Sequence, residues 1–151
     1  MRKLIPLSFM CALVLGLTPA ADARTVPAGM GRAVNSSQAS CFPQLWNGSV
    51  TDTCGNTVSY EIDLPTDNNS TKSVVLTADN SGTTGNPQCA YCTYVPTSNF
   101  YQSSGLAYWG PRSVTSVPLD KYSTPLPNGG LAYVTCNLTQ NTRLYSVTYD
   151  P

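Results

Sequence analysis

"TVSYEIDLP", residues Thr57 to Pro65, sets Val58, Tyr60, Ile62 and Leu64 on one side of the chain and Thr57, Ser59, Glu61 and Asp63 on the other. A two-residue period with β-branched and aromatic residues on one face predicts a strand buried on one side and wet on the other. Working outward, "KSVVLTA" (Lys72 to Ala78) is a β-branched run between the turn-forming stretches "PTDNNST" and "DNSGTTGNPQ". Further strands are expected in "CAYCTYV" (Cys89 to Val95), "LAYWG" (Leu106 to Gly110), "RSVTSVPL" (Arg112 to Leu119), "GLAYVTCNL" (Gly130 to Leu138) and "TRLYSVTY" (Thr142 to Tyr149). The last two read as a hairpin closed by "TQNT", with Ala132, Val134, Cys136 and Leu138 sharing a face. Past the N-terminal leader nothing keeps a helical period. Short strands separated by Gly, Pro, Asn and Asp turns predict an all-β protein, an antiparallel β-sandwich or small barrel stapled by disulfides, with jelly-roll and immunoglobulin-like topologies both open.

The first 23 residues, "MRKLIPLSFMCALVLGLTPAADA", carry Arg2 and Lys3, an apolar run from Leu4 to Leu17 and a small-residue site ending at Ala23. That is the pattern of a secretory signal peptide cleaved near Ala23, and the apolar run is too short and too broken by proline to span a bilayer. Cys11 follows bulky Phe9 and Met10, so no lipid attachment is expected there. Residues 24–38 lack an apolar period and read as a poorly ordered lead-in, leaving 39–151 as one sandwich domain. Without the leader, six cations face seven acids, a balance that offers no footprint for nucleic acid or an anionic membrane. Asn35, Asn47, Asn68, Asn69 and Asn137 lie in N-x-S/T sequons, which also follow from a composition rich in Asn, Ser and Thr.

Five cysteines remain in the exported chain, where disulfides are the default. Cys41 and Cys54 flank a segment with a turn at Asn47-Gly48, so a bridge between two hairpin arms is natural. Cys89 and Cys92 have the spacing of thiol oxidoreductases, but no helix N-terminus is available to activate the first thiol. In a strand, residues three apart lie roughly 10 Å from each other on opposite faces, too far to bridge. With no histidine in the chain, tetrahedral zinc lacks ligands, and no metal or other cofactor is expected. Cys136 is therefore expected to pair across the core with Cys89 or Cys92. Cys89 is preferred because it lies near a strand start. The leftover thiol, Cys92 on that choice, is either inert in the core or a link between chains, and the first reading is favoured.

The missing histidine also removes most nucleophilic triads. Glu61 and Asp63, on one face roughly 7 Å apart, have the spacing of paired carboxylates in sugar hydrolysis, yet a solvated strand face explains them equally simply and is preferred. Asp63, Asp67, Asn68, Asn69, Asp79 and Asn80 have the oxygen-rich composition of a calcium loop, and they are also ordinary turn formers, the preferred reading. Aromatics gather between Tyr91 and Trp109. Tyr101, Tyr108, Trp109 and the turn-flanking Trp46 are the candidate ligand-binding residues, since an aromatic face with a polar edge suits sugars and proteins alike, although either tryptophan could equally cap the core. The expected function is that of a secreted, non-catalytic recognition protein, with a glycan or a cell-surface protein as partner and carbohydrate binding as its sharpest form. A structural protein of an envelope or matrix, and a glycoside hydrolase, are the alternatives.

Overall fold

A computed structural model describes residues 23–65, 73–82, 85–119 and 130–150. The signal-peptide reading therefore lies outside the described residues except at Ala23, as do Asp67, Asn68 and Asn69 of the calcium reading. The strands are β1 Arg24–Pro27, β2 Arg32–Ala33, β3 Val50–Thr51, β4 Val58–Leu64, β5 Val74–Asp79, β6 Gln88–Val95, β7 Phe100–Ser103, β8 Ala107–Tyr108, β9 Thr115–Pro118, β10 Leu131–Leu138 and β11 Arg143–Tyr149, with 3-10 turns at Ala28–Met30 and Ser36–Cys41. They form two antiparallel sheets. One runs β1-β11-β5-β9, with β3 also on β11, and the other runs β2-β4-β10-β6-β7, with β8 also on β6. The protein is thus an antiparallel β-sandwich.

The alternation of β4 is realised directly: Val58, Tyr60, Ile62 and Leu64 are buried. The same phase in β10 buries Ala132, Val134, Cys136 and Leu138, and the facing layer comes from Val74, Leu76, Ala78, Leu144, Val147 and Tyr149. These inward rows from both sheets make one core, the expected product of stacking two half-apolar sheets. Cys41 and Cys54 are bridged, and so are Cys89 and Cys136.

Three sequence expectations are corrected here. First, residues 24–38 are no loose lead-in: β1 pairs along β11, and β2 along β4, so this segment contributes an edge strand to each sheet. Edge strands are held by ladder hydrogen bonds rather than by an apolar period, and their small residues serve close approach. Gly31, just before β2, is one: a Cβ there would run into the Glu61 carbonyl oxygen. Second, β10 and β11 do not pair with each other. Both flanks of β10 are occupied by β4 and β6, and those of β11 by β1, β3 and β5. The "TQNT" turn, closed by Thr142 N–H donating to the Thr139 carbonyl at 2.9 Å with Asn141 at φ 68°, carries the chain from one sheet to the other. Its two strands put their apolar faces toward each other across the core. Third, Cys136 meets Cys89 as its directly opposed neighbour in the same sheet and not across the core.

Candidate functional site

The solvent side of the six-stranded sheet can be read row by row from its register. Ser59, Asn137, Gln88 and Tyr108 form the first row, and Arg32, Glu61, Thr135 and Ala90 the second. Asp63, Tyr133, Cys92 and Ser103 form the third, and Leu131, Tyr94 and Tyr101 the fourth. The face is therefore polar at one end and aromatic at the other. Directly opposed residues in an antiparallel pair share a face, so these rows are neighbours in space.

Within it, Tyr101 is 56% exposed, and its hydroxyl lies 3.1 Å from the Cys92 sulfur. Cys92, although on the outer face, is fully buried and is the free cysteine among the described residues. A thiol so covered cannot link two chains, which corrects that alternative. Ala90 and Cys92, the small outward residues of β6, are both buried. Burial, with repulsion from Cys92, Tyr101 and Glu61, pushes the Tyr133 phenol up to about 12. The hydrogen bond to Cys92, then burial, raises Tyr101. Both phenols thus stay neutral near pH 7 and can donate and accept. Tyr94 donates to the Asn99 side-chain oxygen at 3.3 Å, which ties its ring to the β6–β7 turn.

Arg32 lies against both candidate acids, 2.5 Å from an Asp63 oxygen and 3.5 Å from a Glu61 oxygen. A guanidinium between two carboxylates occupies the place that a water or a glycosidic oxygen needs in hydrolysis. Asp79 serves its turn, accepting from the Ser81 N–H at 2.8 Å, which holds its carboxyl below the usual range. Asn80 is buried and bonded at both ends, to the Gly85 carbonyl and to the Thr142 hydroxyl. No group of three metal-ligating side chains is found among the described residues.

The four candidate aromatics separate. Tyr101 and Tyr108 lie on the outer face just described, 56% and 62% exposed. Trp46 is 98% exposed at the tip of a small hairpin in which Gln44 bridges Val50, and Val50 belongs to the five-stranded sheet's edge. Asn47 builds that tip by accepting from both the backbone and the hydroxyl of Ser49. Trp109 takes the core-capping alternative: 6% exposed, it packs with the core and also lines a cleft at the edge of the sandwich. Tyr94, inside the aromatic cluster of the sequence but outside the four candidates, and Tyr133, outside both, stand on this face with Tyr101. Tyr133 was detectable, since the alternation that buries Ala132 and Val134 turns it outward.

Asp52 is a buried charge outside this face. One oxygen accepts from the Cys54 N–H at 2.9 Å, and the other has no partner among the described residues. Burial raises its pKa, partly opposed by that hydrogen bond. A carboxyl whose folded pKa exceeds its unfolded one makes the fold bind extra protons, so this group's contribution to stability rises as pH falls through the raised pKa and is lost as pH climbs. Asp52→Asn is accordingly expected to raise the melting temperature at pH 7. The advantage should vanish below about pH 4, where the unfolded aspartate is protonated too. Thermal melts across that range check it, and an equal shift at every pH would refute the assignment.

No protein-family model matches the chain, and no curated protein sequence does so either. Solved structures do resemble it. A GH26-CBM35 β-(1,4)-mannanase from Podospora anserina superposes with a TM-score of 0.55 at 13% identity, over 87% of this chain and 28% of the mannanase. The CBM36-1 domain of a multidomain xylanase from the hindgut metagenome of Trinervitermes trinervoides gives 0.54 at 9% identity, over 86% of this chain and 98% of that domain. The chain therefore has the β-sandwich fold found in carbohydrate-binding modules. At such identities the likeness concerns the fold alone.

Proposed function

We propose that the protein is a secreted, non-catalytic carbohydrate-binding module, released from a leader cleaved near Ala23 and folded as one domain, that lays a glycan along the outer face of the six-stranded sheet. The observation that carries this is the aromatic end of that face: Tyr94, Tyr101 and Tyr133 beside Leu131, bordered by Arg32, Asp63, Thr135 and Ser103. Sugar rings offer C–H faces that stack on aromatic rings and hydroxyls that bond to polar edges, and neutral phenols supply both. The fold shared with carbohydrate-binding modules of a mannanase and a xylanase supports the same reading. The Arg32 pairing of Glu61 and Asp63 speaks for binding rather than hydrolysis.

Retention on insoluble xylan, mannan and cellulose, followed by calorimetry with the oligosaccharide of whichever is bound, tests the proposal. Tyr101→Ala combined with Tyr133→Ala is expected to weaken binding by about tenfold or more, as for truncation of aromatic anchors generally. Trp46→Ala should leave it unchanged. The reverse pattern would move the site to the hairpin, and no retention of the wild type on any glycan would end the carbohydrate reading.

A further inference from the structure

Beyond the tyrosine face, and resting on the glycan reading, one cleft has its own chemistry. It measures about 250 Å³ and lies where β8 of one sheet comes near β9 of the other, lined by Tyr108, Trp109, Arg112, Thr115 and Ser116 among others, none of them acidic. Tyr108 is exposed and ends the first row of the outer face, so the cleft continues that face around its edge. Arg112 is exposed, and no acidic partner faces it among the described residues, whereas Arg32 lies against Glu61 and Asp63, and Arg143 lies near Asp79. Its backbone is pinned: the Arg112 carbonyl accepts from the N–H of buried Asn80 at 2.8 Å. Trp109 is buried beneath, with an indole N–H that meets no acceptor among the described residues.

We infer that this cleft takes a carboxylate-bearing sugar residue of the glycan, a uronate, with Arg112 on the carboxylate and Tyr108 against the ring. A guanidinium fork matches a carboxylate in geometry as well as charge, and an unpaired one beside hydroxyls and an exposed ring discriminates an acidic sugar from its neutral counterpart. The attraction is that of a partly exposed pair, so the gain is modest and sensitive to salt.

Calorimetry on the folded protein with three ligands tests it: a xylo-oligosaccharide, the same chain carrying one glucuronate branch, and the methyl ester of that branch. The wild type is expected to bind the glucuronate form about three- to tenfold more tightly than the other two. The ratio should fall to about one in Arg112→Gln and in high salt, and survive in part in Arg112→Lys. A wild-type ratio of one, or one unmoved in Arg112→Gln, overturns the inference while neutral binding leaves the glycan reading standing. Failure of all three ligands to bind overturns the inference, while the glycan reading then stands or falls on retention by mannan and cellulose.

Discussion

Trp109→Ala is expected to lower the stability of this domain by about 3–5 kcal/mol, a fall in melting temperature of about 10–20 °C for a chain of this size. Trp46→Ala should change it by less than about 0.5 kcal/mol. The two tryptophans look alike in sequence, each beside a glycine-bearing turn, yet Trp109 is 6% exposed within the core and Trp46 98% exposed at a hairpin tip. Deleting the buried indole removes its contacts and leaves a cavity between two sheets that cannot close on it. Deleting the exposed one removes almost nothing. Trp109→Phe should cost much less than the alanine variant, because it keeps most of the volume and discards an N–H that has no acceptor among the described residues. Chemical unfolding of the three variants measures this, and their fluorescence supplies an independent readout. The Trp46→Ala protein should emit at short wavelength, from a buried indole alone, and lose that signal on unfolding. Equal costs for Trp46→Ala and Trp109→Ala would show that Trp109 is not a core residue.

The second large effect concerns the disulfides. Cys89 and Cys136 are 47 residues apart in sequence and Cys41 and Cys54 are 13 apart. In the chain-entropy model, opening the longer loop costs about 4 kcal/mol and the shorter about 3 kcal/mol. Cys89→Ala with Cys136→Ala should therefore be more damaging than Cys41→Ala with Cys54→Ala, all the more because both sulfurs of the longer link are buried in the core. Loss of both links removes about 7 kcal/mol, a large share of the roughly 5–15 kcal/mol typical of such domains, so the doubly reduced protein should melt far below either double variant. Urea midpoints of the two double variants decide the order. Finding the Cys41–Cys54 variant the weaker one would mean that local geometry, not loop length, sets the contribution of each bridge.

How much of this was legible in the chain differs by element. β4, β5, β6, β10 and β11 could be read because each alternates or carries a β-branched run, and half-burial of a sheet demands that pattern. β1, β2 and β3 could not. They are short edge strands of two to four residues, stabilised by backbone hydrogen bonds to a neighbour, and such bonds require no particular side chain. The partner of each strand was equally hidden. "TQNT" suits a hairpin as well as a crossing between sheets, and only the occupancy of both flanks of β10 and β11 selects the crossing. For the candidate site, Tyr101 and Tyr108 were identifiable as aromatics. Their assembly with Tyr94 and Tyr133 into one face needed the order β10-β6-β7, which brings together residues up to 39 positions apart, from Tyr94 to Tyr133.

The amino-acid sequence by itself determined the all-β class and the inward faces of the long strands. It did so because the two-residue period is a local property of the chain, set by which side chains leave water. The tertiary structure alone decided that Trp109 lies inside and Trp46 outside, that Cys89 meets Cys136 along one sheet, and that three tyrosines from three strands share a surface. Those facts depend on which strands become neighbours, and that choice is made by the collective burial of both sheets, which no single stretch of residues encodes.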